Sequence, residues 1–221
     1  MALFSLTNVT THSRRPLAII INKKQKTMKN LMKFIGLAFL TMTLAFTNVD
    51  KKTIVIDVGH GGQDNGTTVN GFDEKEIALN IANKIKELNK NSNVVIILSR
   101  DSDKFLSLSD RANQINSVKP DFVISLHANA TDNQKENGKQ IFVSDKNKQK
   151  EKSGDLALKL FYSFKDRNVE IKKADFYLLK NVEYPIALVE LGYLTNETDR
   201  EILTTEKGQY KLAKSILSVI K

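Results

Sequence analysis

Two histidines and two glutamates lie where they could act together on a metal ion. His60 follows the apolar run TIVIDVG, and His127 lies in SLHAN, directly after FVI. Glu190 ends a third apolar run, IALVE, and Glu74 opens a helix-like segment 14 residues after His60. Because the chain has no cysteine, a metal site here must use His, Asp or Glu side chains. Two imidazoles and one carboxylate are a common ligand set for catalytic zinc.

These residues suggest a division of roles. A catalytic zinc ion takes three protein ligands and keeps one position open, which predicts His60, Glu74 and His127 as ligands of one Zn²⁺ ion. Hydrolysis also needs a group that accepts a proton and later donates it, and a carboxylate that does not bind the metal suits that role. We therefore predict Glu190 as the catalytic acid/base. The glycines between Gly61 and Gly71 would leave room for metal and substrate.

Each of these residues also has a structural explanation. A histidine after a strand is often a hydrogen-bonded structural residue, and an acid in the first turn of a helix is favoured by the helix dipole. Glu190 alone fits a buried ion pair. A glycine-rich loop can also cradle phosphate, but this one lacks the GxGxxG and GK[S/T] spacings. Spacing alone therefore leaves both the metal site and the structural explanation open.

The elements that must position these residues follow from hydrophobic periodicity. Apolar, β-branched runs predict strands, and apolar residues at helical spacing predict helices. The predicted strands are Thr53–Val58, Val94–Leu98, Phe122–Leu126, Gln140–Val143, Phe176–Leu179 and Ile186–Leu191. The predicted helices are Glu74–Leu88, Ser107–Val118, Gly154–Phe164 and a C-terminal helix marked by Leu212, Ile216 and Val219.

This alternation predicts a single α/β domain with a largely parallel or mixed sheet covered by helices on both faces. Ligands of such sheets bind at the carboxyl ends of the strands. If the three strands run in the same direction, His60, His127 and Glu190 converge at one edge.

The charge distribution separates a leader from the folded part. Seven of the 34 Lys and Arg residues lie within residues 1–47, which hold no acid, so the other 27 nearly balance the 25 acids. This balance argues against nucleic-acid binding. Residues 28–33 are positively charged, 34–46 are apolar, and small residues follow, which predicts a signal peptide at about 28–47. Our hypothesis is that translation begins at Met28 and that residues 1–27 come from a mis-assigned start. For the signal peptide itself, an uncleaved N-terminal anchor is the alternative.

Five stretches, in order, resemble the zinc-dependent N-acetylmuramoyl-L-alanine amidases of the amidase 3 type. They are IVIDVGHGGQDNG, NGFDEKEIALNIA, LSRDSD with LSDRANQIN, DFVISLHANA, and YPIALVELGYLTNETD, and they extend from about residue 53 to the C-terminus. The resemblance implies a mostly parallel, six-stranded sheet flanked by helices. It also implies zinc binding by His60, Glu74 and His127, with Glu190 as acid/base.

The resemblance implies hydrolysis of the amide between N-acetylmuramic acid and L-alanine in peptidoglycan, for cell-wall remodelling or daughter-cell separation. Asn129 is a candidate substrate-binding residue. We expect residues 48–221 to form the catalytic domain of an exported protein, in the periplasm or the wall, without stable membrane insertion after signal cleavage. A monomer is the default expectation. Another zinc peptidase or deacetylase, or a non-catalytic wall-binding protein, are the alternatives.

Two further expectations concern single motifs. Arg100 and Arg111 match family positions, and we interpret them as structural, with Arg111 pairing with Asp110 or Asp101 at the surface. Some relatives carry a long insertion after the SLHAN motif, which forms a helix that blocks the zinc. Here only residues 130–139 separate Asn129 from the next strand, which predicts an enzyme that is active without an activator.

Overall fold

The structure is a computed structural model that describes residues 24–30, 32–33, 51–165 and 168–220. Residues 24–30 and 32–33 are helical and exposed. The apolar part of the predicted signal peptide, 34–46, and the predicted boundary between leader and catalytic domain lie outside the described residues. Among the residues that are described, no helix is both long and apolar enough to cross a bilayer.

Strands and helices alternate from residue 52 onward, as the periodicity predicts. In chain order the elements are β1 (Lys52–Val58), β2 (Thr68–Val69), β3 (Phe72–Asp73), α1 (Glu74–Leu88), β4 (Val94–Leu98), α2 (Leu108–Val118), β5 (Phe122–Asn129), β6 (Lys139–Val143), α3 (Lys150–Ser163), β7 (Val169–Lys173), α4 (Tyr177–Asn181), β8 (Ile186–Tyr193), α5 (Glu197–Thr204) and α6 (Glu206–Ile220). Strands β2 and β3 form a small antiparallel hairpin before α1.

Six strands form one sheet in the order β4-β1-β5-β8-β6-β7. The first four are parallel, β6 is antiparallel to β8, and β7 is parallel to β6. The predicted fold class, a mostly parallel six-stranded sheet flanked by helices, is confirmed. Because β1, β5 and β8 are adjacent and parallel, their carboxyl ends meet at one edge, where ligands bind in sheets of this kind.

Helices cover both faces of the sheet. On one face, α1, α3 and α6 share a core with alternate strand residues such as Ile54 and Ile56. On the other face, α2 and α4 pack against strand residues that include Val55, Val123 and Ile186. Each buried Ile or Leu contributes about 1.5–3 kcal/mol to folding. Burial on both faces explains why the central strands are continuous apolar runs.

The sequence prediction is wrong or incomplete at five elements, of which two are the short strands β2 and β3, absent from the predicted set. Residues 176–179 form no strand, because Phe176 caps helix α4, whose consecutive Leu178 and Leu179 are both buried against the second core. Strand β7 was missed because only Val169 in VEIKK is buried; the rest is a charged, exposed edge, which discourages pairing with other chains. Helix α5 was also missed; Asn196 caps its start by accepting a hydrogen bond from the Asp199 amide.

Candidate metal centre

The three predicted ligands come from the ends of three elements. His60 follows β1, Glu74 is the first residue of α1, and His127 lies near the end of β5. The parallel register of β1 and β5 pairs Val58, two residues before His60, with Leu126, the residue before His127. The two imidazole rings therefore meet edge to face, with their centroids 5.0 Å apart.

Both imidazoles converge on one carboxylate oxygen. Nε2 of His60 lies 3.0 Å from Oε1 of Glu74, and Nδ1 of His127 lies 2.9 Å from the same oxygen. One ligand atom from each of the three residues lies within 4.8 Å of the others, a spacing that could hold a single metal ion. The structure thus brings together the residues that the sequence singles out.

Glycines make this approach possible. A Cβ on Gly66 would lie 2.5 Å from Oε2 of Glu74 and 2.7 Å from Cδ2 of His60. A Cβ on Gly59 would lie 2.6 Å from Cε1 of His127. His60 itself has φ +57°, a left-handed conformation that few side chains adopt, so the sharp turn after β1 falls on the candidate ligand.

Neighbouring groups orient the three side chains. Nδ1 of His60 lies 2.9 Å from Oδ2 of Asp64, and an N–H at that nitrogen leaves Nε2 free for a metal. The amide of Thr67 donates to Oε2 of Glu74 at 3.0 Å, and the amide of Ala128 donates to Oε1 at 3.1 Å. Sequence reasoning missed Asp64, although a carboxylate four residues after a candidate ligand is a visible signal.

The electrostatics fit a site built for positive charge. Burial opposes ionisation of Glu74, but hydrogen bonds from His127 and His60 outweigh it and hold the pKa of Glu74 well below its usual range. Burial also opposes protonation of His60, yet the hydrogen bond and charge of Glu74, aided by Asp64, raise its pKa to about 9. The pKa of His127 is raised despite burial, chiefly by its hydrogen bond with Glu74.

Glu190 lies beside this cluster, but no ion pair between its carboxylate and either imidazole is recorded among the described residues. It occupies β8, in register with His127 on β5 and with Gln140 on β6. Its Oε2 is buried and has no hydrogen-bond partner among the described residues. Burial raises the pKa of Glu190 to about 7, against the opposing charge of His127. A carboxyl group with a pKa near neutrality can both accept and donate a proton.

The family comparison decides the identity of the domain. The Amidase_3 family, described as N-acetylmuramoyl-L-alanine amidase, matches residues 54–221. The chain belongs to the Amidase_3 family. The predicted activity is thereby confirmed: it is an N-acetylmuramoyl-L-alanine amidase that acts on peptidoglycan. The peptidase, deacetylase and non-catalytic alternatives are set aside.

Individual relatives agree with this assignment. The chain is 37% identical over 169 residues to N-acetylmuramoyl-L-alanine amidase LytC of Bacillus subtilis (strain 168), covering 75% of this chain and 34% of LytC. It is 31% identical over 226 residues to the germination-specific N-acetylmuramoyl-L-alanine amidase of the same organism, covering 89% of this chain and 93% of the relative. A crystal structure of an N-acetylmuramoyl-L-alanine amidase from Clostridium difficile 630 superposes with a TM-score of 0.72 at 31% identity, covering 77% and 95%.

A buried ion pair supports the turn that carries His60 in this amidase. Arg111 is 3% exposed and donates to Oδ1 of the fully buried Asp57 at 2.9 Å. It also donates to the carbonyl oxygens of Val58 and His60. The expected surface pairing of Arg111 with Asp110 or Asp101 is therefore wrong. Its partner lies 54 residues away in sequence, a distance that local spacing cannot reveal.

Arg100 supports the same turn from the other side. It is 1% exposed, so its predicted structural role agrees with its burial. It donates to the carbonyl oxygens of Val58, Gly59 and Lys75, which tie the turn after β1 to the first turn of α1. The two arginines thus fix the backbone at two of the three candidate ligands.

The cluster opens into a cleft of about 380 Å³. The exposed apolar side chains of Leu108, Phe176 and Tyr177 also line it. Sequence reasoning missed Phe176 and Tyr177 because residues 176–179 were predicted as a strand. Asn129 lines the cleft, donates to Oε1 of Gln140 at 3.2 Å and accepts from the Ala130 amide. Substrate binding by Asn129 stays a prediction.

Proposed function

We propose that this amidase binds one Zn²⁺ ion through His60, Glu74 and His127. The proposal is supported by the convergence of three suitable ligand atoms within 4.8 Å, with a cleft on their open side. The donor set has the nitrogen and oxygen ligands that zinc prefers. Asp64 orients His60 in the way that outer carboxylates orient zinc-bound histidines.

We propose that Glu190 moves the protons of the reaction. A bound zinc ion supplies a more acidic water and polarises the scissile carbonyl. The Glu190 carboxylate accepts the proton of the attacking water and then donates it to the nitrogen of L-alanine as the amide C–N bond breaks. Its orphaned, buried Oε2 is the observation that carries this assignment, because a structural glutamate at this depth would be hydrogen-bonded.

We propose that the protein is exported and that residues 28–47 are its signal peptide, with residues 48–221 as the catalytic domain in the periplasm or the wall. The basic residues and apolar run of the leader, together with relatives named as wall amidases, support this division. N-terminal sequencing of the secreted protein tests it. A mature protein that retains residues 28–47 would contradict it and favour the anchor.

We infer that the enzyme is active without an activator. Strands β5 and β6 are joined by residues 130–138, a loop too short for a blocking helix, and the described loop contains none. The purified protein should therefore digest peptidoglycan by itself. Activity that appears only after a partner protein is added would overturn this inference.

Analysis of digested wall tests the proposed function as a whole. Mass spectrometry should find glycan strands whose lactyl groups carry no peptide, together with peptides that begin with L-alanine. A chelator should abolish their release and added zinc should restore it, whereas an enzyme pretreated with chelator and then dialysed against magnesium should stay inactive. Release that persists in chelator would contradict the metal assignment, and products cleaved at another bond would contradict the assigned reaction.

A further inference from the structure

A groove of about 560 Å³, lined by residues of α5, α6 and the start of β6, carries a concentrated positive charge. The charged residues in the described part of its lining are five lysines and one glutamate: Lys139, Lys165, Lys207, Lys211, Lys214 and Glu201. Charges elsewhere after residue 47 nearly balance. The groove is therefore a local excess of cations within an almost neutral domain.

The lysines of α6 are placed unfavourably for folding. Lys207, Lys211 and Lys214 are exposed and lie at i, i+4 and i+7, on one face of the helix. Like charges at this spacing repel one another. Lys207 also lies in the first turn, where the helix dipole disfavours a cation, and the adjacent Glu206 pairs with Lys84 instead. Lys214 lies over the ring of Tyr210, 5.5 Å from its centre, but helix stability gives no reason for the row of three lysines, which suits the binding of an anion.

Buried apolar side chains form the bottom of the groove beneath these charges. Phe164 and Leu212 line it and are each only 4% exposed. Lys139 is 5% exposed, and its Nζ lies 5.6 Å from the centre of the Phe164 ring, within cation–π range. The lysine head groups therefore surround an already packed surface.

We propose that this groove binds an anionic, phosphodiester-linked polymer of the cell envelope, which lies along the lysine row of α6. The inference rests on the proposed export of the enzyme to the wall. Lysine acts as a flexible point charge, which suits a flexible chain of phosphates. Among the described residues that line the groove there is no arginine and no exposed aromatic side chain, as nucleic-acid recognition would require. Its apolar residues lie at the floor, where they cannot insert into a membrane.

The groove reaches the edge of the sheet that carries the active site. Lys139 lines it, and the next residue, Gln140, pairs with Glu190 across β6 and β8. A polymer bound here holds the enzyme on the wall with the cleft beside peptidoglycan. Such tethering raises the effective concentration of substrate without any new contact at the zinc site.

Binding of the full chain to isolated walls tests this proposal. All proteins carry Glu190→Gln so that the wall stays intact. One variant adds Lys207→Gln, Lys211→Gln and Lys214→Gln; its matched control adds Lys90→Gln, Lys152→Gln and Lys159→Gln, which removes three exposed lysines elsewhere. Walls are compared before and after chemical removal of their phosphodiester polymers. Parallel arms use vesicles of anionic phospholipid and single-stranded DNA.

On untreated wall, the groove variant should bind about tenfold more weakly than the control, with a shallower dependence on salt. On stripped wall the two should bind alike. Equal binding of the groove variant and the control to untreated wall would overturn the proposal. It would also be overturned if the protein that keeps all its lysines bound stripped and untreated wall equally well. If the groove variant lost binding to vesicles or to DNA rather than to the wall, that partner and not the polymer would be the ligand of the groove. Failure of the wild-type chain to digest stripped wall would count against the proposed function instead, since the binding assay does not use activity.

Discussion

Two carboxylates of the same residue type have opposite surroundings in the cleft. Glu74 receives two backbone amides and faces two imidazoles, which keeps it ionised as a metal ligand should be. Glu190 is half-buried, its Oε2 is buried and unpartnered, and burial of the carboxyl group raises its pKa to about 7. Environments that separate the pKa values of neighbouring acids mark different roles, so the contrast supports one ligand and one proton carrier.

Glu190→Gln should remove proton transfer and leave the metal in place. We expect the rate of peptidoglycan hydrolysis to fall by about 10²–10⁴-fold, with zinc content unchanged. Stability should not decrease, because the substitution puts a neutral amide in place of a carboxyl group whose Oε2 is buried and unpartnered. Rates from dye-release assays, zinc per chain and the melting temperature measure these effects. His127→Ala is the matched comparison and should lose zinc; near-normal hydrolysis by Glu190→Gln would contradict the acid/base role.

Gly66→Ala should weaken metal binding for a steric reason. Its Cβ would meet Oε2 of Glu74 at 2.5 Å, and φ at Gly66 is +64°. Gly71 has φ +81° and no atom within 4 Å of an added Cβ, so Gly71→Ala carries the backbone strain without the collision. Both should lose about 1–2 kcal/mol of stability from the left-handed conformation. Only Gly66→Ala should bind zinc more weakly, as measured by competition titration. Equal zinc affinities of Gly66→Ala and Gly71→Ala would show that the cluster tolerates a displacement of Glu74.

At the scale of elements, the ion pair of Arg111 and Asp57 joins α2 to β1. Arg111→Ala leaves the buried Asp57 carboxylate without its cation, and about 3–5 kcal/mol of stability should be lost. Arg111→Lys keeps a charge but cannot reach Asp57 and the His60 carbonyl together, because lysine lacks the planar fork.

Arg111→Lys should therefore fold and bind zinc about tenfold more weakly, the lower range for outer-shell changes. Zinc affinity and chemical denaturation measure the two effects. Arg200→Lys, which alters a similar donor to the carbonyl of Leu194, serves as the control and should bind zinc normally. If Arg111→Lys bound zinc as tightly as the unsubstituted protein, Arg111 would contribute to stability only and not to the metal site.

Elements buried on both faces are predictable from sequence, and elements at the boundary are less so. The central strand β1 and helix α1 have the bounds that periodicity predicts to within one residue, because a central strand or an amphipathic helix must show its burial in its residues. Strand β7 has one buried residue, and α4 is a single short turn of helix, so neither has a usable period. The same limit hid two apolar residues that line the cleft, since Tyr177 begins α4 and Phe176 is its N-cap.

For the whole molecule, we expect the proposed zinc site to couple folding to pH. In the metal-free protein the pKa of His60 is raised from 6.5 to about 9, so its contribution to stability is fully present below pH 6.5 and is lost as pH rises through 9. The raised pKa of His127 acts in the same direction. The lowered pKa of Glu74 contributes stability above its usual 4.5 and stays constant across this range.

Melting temperatures with zinc and with chelator test this coupling. At a hundredfold excess over its dissociation constant, zinc should add about 2.7 kcal/mol, or roughly 5–10 °C. The difference should widen from pH 6.5 to 9, because the metal-free protein loses its imidazole protons while the zinc ion takes their place beside Glu74. His60→Asn should flatten the pH dependence of the metal-free protein, since it removes the group that titrates. A zinc effect that is constant with pH would contradict the coupling of metal and proton at these histidines.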